Sequence, residues 1–142
     1  MFVLRERLDK VLGEGIYKRQ NPNLVQNALI RLGVEASEDF KEFYKQYAGP
    51  FWEENIPFEL LDLVDGENNI ESYTLIVRKE YGFPKQFLVL SEMSANAVLM
   101  LDSEMDCVYT INFEGGDELL LKRELNATWP SFFDFLTAYF NC

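Results

Sequence analysis

Asp102-Ser103-Glu104-Met105-Asp106 sets carboxylates at alternate positions, the spacing at which a calcium loop presents its first oxygen ligands. Such a loop needs glycine at its sixth position and glutamate at its twelfth, where this chain has Cys107 and Phe113. The segment therefore reads as a solvated hairpin tip. Two carboxyls about 5–10 Å apart could hydrolyse a glycosidic bond, but a chain this small shows no recognisable signature of such a pair. Nucleophilic chemistry lacks its base: Cys107 and Cys142 have no histidine to serve them, because the sequence contains none. No serine stands in a Gly-x-Ser-x-Gly elbow. Gly115-Gly116 is not followed by the lysine of a phosphate cradle and reads as a turn. The two cysteines fit no metal or disulfide pattern, which reads as a buried small hydrophobe, a terminal thiol and a reducing cytoplasm. The reading is of a chain that is not an enzyme, with no metal and no cofactor.

Charge is the stronger signal. No basic residue occurs between Lys45 and Arg78 or between Lys85 and Lys122. Those gaps hold Glu53, Glu54, Glu59, Asp62, Asp65, Glu67 and Glu71, then Glu92, Asp102, Glu104, Asp106, Glu114, Asp117 and Glu118. These acids by themselves exceed the formal net charge of −11, and the rest of the chain is close to balanced. A field of one sign speeds encounter with a counter-charged partner by ~10 to 10³-fold. Nucleic acid is excluded as a direct ligand, because phosphate binding needs a basic stripe. No apolar run reaches the ~20 residues that span a bilayer, and the start has no signal-peptide core. The expected partner is a basic protein.

The 142 residues fit one domain over 1–142, and 48% apolar content excludes a disordered acidic tail. Leu4, Leu8, Val11 and Leu12 predict a short helix before Gly13. Asn21-Pro22-Asn23 opens a second helix that buries Leu24, Val25, Ala28, Leu29 and Leu32 and stops at Gly33. Ser37 caps a third, in which Phe40, Phe43, Tyr44 and Tyr47 share one inward face before Gly49-Pro50. Pro57 makes Phe51–Asp65 a loop that leads into an edge strand over Leu60–Val64, with a turn at Asp65-Gly66. Ile70, Tyr73 and Val77 predict a helix that ends at Gly82.

The later half changes period. Phe87–Leu90 and Ala97–Leu101 are unbroken apolar runs, as strands covered on both faces require. Residues from Cys107 to Phe113 alternate, and Glu118–Leu121 is expected as a fourth strand. The connectors are too short for parallel crossovers, so the strands should form an antiparallel meander. Thr128 is expected to cap a last helix that carries Trp129, Phe132, Phe133, Leu136, Tyr139 and Phe140. The fold class is α+β, with helices around one antiparallel sheet.

Several segments in this order resemble the SUKH superfamily, which includes fungal cell-wall regulators of the Smi/Knr type. They are Glu38-Asp39-Phe40-Lys41-Glu42-Phe43-Tyr44, Gly49, Asn69-Ile70-Glu71, Tyr81-Gly82-Phe83-Pro84, the strands Phe87–Leu90 and Val98–Asp102, Val108-Tyr109 and Ser131–Leu136. The resemblance spans roughly Leu24 to Phe140. Members often have Leu-Pro before the aromatic helix and Asn-Gly after it; this chain has Glu35-Ala36-Ser37 and Ala48-Gly49. The resemblance implies a non-catalytic domain. Many bacterial members act as immunity proteins that neutralise toxin domains, often nucleases, and fungal relatives are tied to glucan synthesis and signalling scaffolds. A nuclease displays a basic groove that an acidic surface could occupy.

Phe51–Glu59 interleaves aromatics with acids, the pattern of a protein interface, although Phe51, Trp52 and Phe58 could equally be core beneath a charged loop. The expected partner-binding residues are Trp52, Glu53, Glu54, Glu59, Asp62, Asp65, Glu67, Asp102, Glu104 and Asp106. Whether the two acidic stretches share a face is not encoded locally.

Overall fold

Two apolar runs and one alternating run meet as the sheet that positions everything else. The computed structural model describes residues 5–12 and 17–141. Among them β1 (Phe87–Val89), β2 (Ala97–Asp102) and β3 (Cys107–Asn112) form an antiparallel sheet in the order β1-β2-β3. Val89 pairs with Met100, and Met100 with Tyr109. β1 is buried throughout, and β2 from Val98 onward. Leu88, Leu99, Leu101 and Val108 face one layer of core; Val89, Val98, Met100 and Ile111 face the other.

The first layer holds α1 (Arg5–Leu12), α2 (Asn23–Leu32), α3 (Glu38–Gln46) and α6 (Phe132–Phe140). Ser37 Oγ accepts the Phe40 amide at 3.2 Å, and Phe40, Phe43, Tyr44 and Tyr47 are all fully buried. The Phe43 ring centre lies 5.3 Å from Phe51, 6.0 Å from Phe132 and 5.9 Å from Phe140, so one aromatic cluster joins α3 to α6. The second layer holds α4 (Ile70–Tyr81) and α5 (Gly116–Leu121), which contribute Val77 and Leu120. Asn69 and Ser72 form a reciprocal capping box that fixes where α4 begins. The result is an α+β fold with helices on both faces of a three-stranded antiparallel sheet.

Four local expectations change. Glu118–Leu121 is helix α5, not a strand. Gly115, at φ +130°, turns the chain out of β3, and the Leu119 amide then donates to the Gly115 carbonyl at 3.1 Å. Four residues are too few for periodicity to separate the two states, and only Leu120 is buried. Leu60–Val64 is not a strand either. Leu60 bridges Phe51 and Ser91 beside β1, and then the Asp62 carboxylate bends the chain by accepting the Val64 and Asp65 amides at 3.0 and 2.8 Å. Thr128 does not cap α6; Ser131 does, taking the Asp134 amide at 3.0 Å. Thr128 and Trp129 instead lie along β3, where Val108 and Trp129 exchange backbone hydrogen bonds of 2.9 and 3.0 Å. Part of the β3 edge is thereby paired by irregular chain, as is the segment just after β1. Finally, Leu24 is exposed rather than buried on α2. Leu4, Gly13 and Cys142 lie outside the described residues.

Candidate functional site

Residues 51–60 make a loop whose shape is set from inside. Phe51 and Phe58 are core, whereas Trp52 between them is 65% exposed. The Tyr139 hydroxyl of α6 lies 2.7 Å from the Phe58 carbonyl oxygen and 3.0 Å from that of Phe51, and accepts the Leu60 amide at 3.1 Å. One buried hydroxyl thus ties three points of the loop together. Burial pushes its pKa up to about 12, so it stays protonated and able to donate at any physiological pH. The loop is held from beneath and presents an aromatic ring outward.

Glu53, Glu54 and Glu59 share the loop with that ring. Partial burial, and then the charge of Glu54, raises the Glu53 carboxyl above the ordinary range. Charge is crowded here without a cation to relieve it, since neither Lys nor Arg forms an ion pair with Glu53, Glu54 or Glu59 among the described residues. The Glu59 carbonyl accepts the Glu92 amide at 3.4 Å, and the Tyr73 hydroxyl donates to Glu92 Oε2 at 2.9 Å. Glu92, which follows β1, therefore joins the same end of the molecule. Asn96 donates to Glu114 Oε1 at 3.3 Å nearby.

The remaining expected acids part company. Asp62 is 1% exposed and ion-paired to Arg19, so it is an internal anchor and not a docking residue. Asp102 is 5% exposed; its Oδ1 accepts the amides of Glu104 and Met105 at 3.0 and 3.2 Å, and Gln86 donates to the same carboxylate at 3.2 Å. It shapes the β2–β3 turn rather than meeting a partner. Glu104 and Asp106 follow it at the Asp102–Cys107 end of the sheet, whereas Glu59 and Glu92 lie toward the Ala97–Asn112 end. β2 separates these ends by about 17 Å at ~3.3 Å per residue. Asp106 instead neighbours Asp39, whose carboxyl is raised first by burial and then by the Asp106 charge. Asp65 and Glu67 lie on the turn after Asp62, where Asp65 comes within 3.6 Å of Arg19 Nη1.

Beside the loop acids is an apolar groove of about 290 Å³, lined by Tyr73 and Ile76 of α4, Val89 and Val98 of the sheet, and Met93. Sequence reasoning missed it. Its signal was Ile76, an apolar residue off the inward stripe of α4 and 49% exposed. Cys107 offers no reactivity: its thiol is buried, which raises its pKa, and it is hydrogen-bonded with Tyr109. Among the described residues no three or more Cys, Asp or Glu side chains converge to hold a metal ion, and no helix is long and apolar enough to cross a membrane.

The order of a capped aromatic helix, a capped α4, a three-strand meander and an aromatic last helix now stands beside a sequence match. The model of the SMI1 / KNR4 family (SUKH-1) matches residues 21–138. The chain belongs to the SMI1 / KNR4 family. Curated proteins offer no match. The matched span runs from the turn before α2 to the penultimate turn of α6, and it takes in the Trp52 loop, the sheet and the groove. The match covers the loop itself, while Tyr139 and Arg19, which hold it and its Asp62 anchor, lie just outside the matched residues.

Proposed function

We propose that this SUKH-1 chain is a non-enzymatic protein-binding domain, an immunity protein that neutralises a basic toxin domain in the cytoplasm. Docking runs through Trp52 with Glu53, Glu54 and Glu59. The observation that carries the reading is the exposed Trp52 on a loop pinned by Tyr139, beside a Glu53 carboxyl raised by burial and by Glu54. An incoming lysine or arginine would relieve that crowding. Close charge pairs at an interface couple by about 1.5–7 kcal/mol. Tryptophan is enriched among the residues that dominate such interfaces. Family membership supports the same reading, and the alternative within it is a regulatory or scaffold module of cell-wall glucan synthesis.

The reading predicts that a neighbouring gene encodes a toxin domain, and the test is binding to that domain. Glu53→Lys, Glu54→Lys and Glu59→Lys together should slow association by about tenfold or more, and added salt should weaken the wild-type complex, because exposed charges are screened beyond ~8–10 Å near physiological ionic strength. The fold should stay intact in that variant, since none of the three side chains is buried and none forms an ion pair among the described residues. Unchanged association in the triple variant would remove the loop from the interface. Recovery of a glucan-synthesis or signalling protein and no toxin would favour the regulatory module.

A further inference from the structure

We infer that the groove beside α4 seats paired apolar side chains of a partner segment whose flanking lysines or arginines meet Glu80 and Glu92. The inference rests on the protein-binding reading and names a second contact for it. The groove lies where α4 and α5 cover different parts of this face. α4 packs on β1, while α5 carries Leu120 toward the Asp102 end, where it lines a separate pocket with Phe87 and Tyr109. The Val98 end of the face is left open. Tyr73, Ile76 and Glu80 form the α4 wall, one helical face by their spacing. Met93 and Phe113 complete the lining, with the Phe113 ring 4.9 Å from that of Tyr81 at the end of α4.

Three observations select the occupant. First, the lining is apolar at its centre, and Ile76 and Met93 are about half exposed, at 49% and 52%. Methionine adapts to varied apolar shapes and is over-used at binding surfaces. Second, the volume of about 290 Å³ is nearly twice the ~150 Å³ cavity that takes one benzene, which suits two side chains rather than one. Third, the charged lining residues are Glu80 and Glu92, with no lysine or arginine among them. A second copy of this chain is disfavoured, because a net charge of −11 on each molecule opposes self-association. A cationic-apolar segment satisfies both the walls and the rim. Glu92 also links the groove to the Trp52 loop through Glu59, so one partner could span both.

A random-peptide display library selected on the wild-type chain, with counter-selection on Ile76→Lys/Met93→Lys, tests this directly. Enriched peptides should carry adjacent aliphatic or aromatic residues flanked by lysine or arginine. A synthetic consensus peptide should bind the double variant about tenfold more weakly or worse. Glu80→Gln/Glu92→Gln should keep the apolar preference and lose the basic flanks, since the side-chain amide that replaces the Glu92 carboxylate can still accept from Tyr73. Failure to enrich over the double variant, acidic or wholly polar winners, or equal binding by both proteins would overturn the inference. Toxin binding that is lost in the Trp52-loop variant but kept in the groove variant would remove the groove alone. Groove ligands recovered alongside a toxin insensitive to the loop variant would instead remove the loop reading.

Discussion

Replacement of Asp62 by alanine is expected to lower the unfolding free energy by about 3–5 kcal/mol, the cost of breaking a buried ion pair by removing one partner. A domain of this size has only about 5–15 kcal/mol in total. Asp62 Oδ1 pairs with Arg19 Nη2 and accepts the Gly49 amide at 2.9 Å; Oδ2 accepts the Val64 and Asp65 amides at 3.0 and 2.8 Å. The Arg19 side chain is 1% exposed, and its other bonds go to the carbonyls of Tyr44 and Tyr47 at the end of α3. Without the carboxylate, a buried guanidinium keeps only Asp65 as counter-charge, at 3.6 Å, and three amides lose their acceptor. Urea unfolding followed by circular dichroism should show a large fall in midpoint. Asp65→Ala is the control, because its side chain is 53% exposed and exposed pairs contribute about 0–1 kcal/mol. Equal midpoints for the two variants would show that Asp62 does not anchor the loop.

Tyr139→Phe should cost about 1–3 kcal/mol, because the buried Phe58 carbonyl loses its 2.7 Å partner. The same residue gives a pH signature. Its folded-state pKa is pushed up to about 12 by burial, against ~10 for an unfolded tyrosine. Above pH ~10 the unfolded chain sheds this proton while the folded chain keeps it, so stability is fully present below that pH and falls as pH rises toward ~12. A shift of about two units corresponds to at most ~2.7 kcal/mol for this group. Tyr44, fully buried with its hydroxyl donating to the Leu61 carbonyl at 3.0 Å, is raised in the same direction. Urea midpoints measured across this window should therefore drop steeply in the wild type and less steeply in Tyr139→Phe. A flat wild-type profile would count against the buried hydroxyls. Release of the loop should also weaken partner binding, as Trp52 loses its rigid support.

The parts of the fold that were legible were those written in short-range period and in connector length. The i, i+3, i+4, i+7 spacing from Phe40 to Tyr47 placed α3 and its buried face, and the apolar runs at Phe87 and Ala97 placed strands with both faces covered. Short links between them left only antiparallel pairing. Glu118–Leu121 and Thr128 defeated the same reasoning, because a four-residue run and a lone hydroxyl suit several local structures equally. Trp52 stood between two readings. Tyr139, far along the chain, is what turns Phe51 and Phe58 inward and leaves the ring between them outside.

Composition and local order were enough to establish an acidic α+β chain without histidine and with the segment order of the SUKH group, since these are properties of neighbours along the backbone. Which acids meet solvent was decided only in three dimensions. Asp62 became an internal anchor because Arg19, 43 positions away, arrives beside it, and a carboxylate's cost of burial depends on that distant partner. Likewise Glu92 lies toward one end of the sheet, beside Glu59 of the other stretch, and Glu104 and Asp106 lie at the opposite end, because antiparallel pairing sends successive turns of the second acidic stretch to alternate ends.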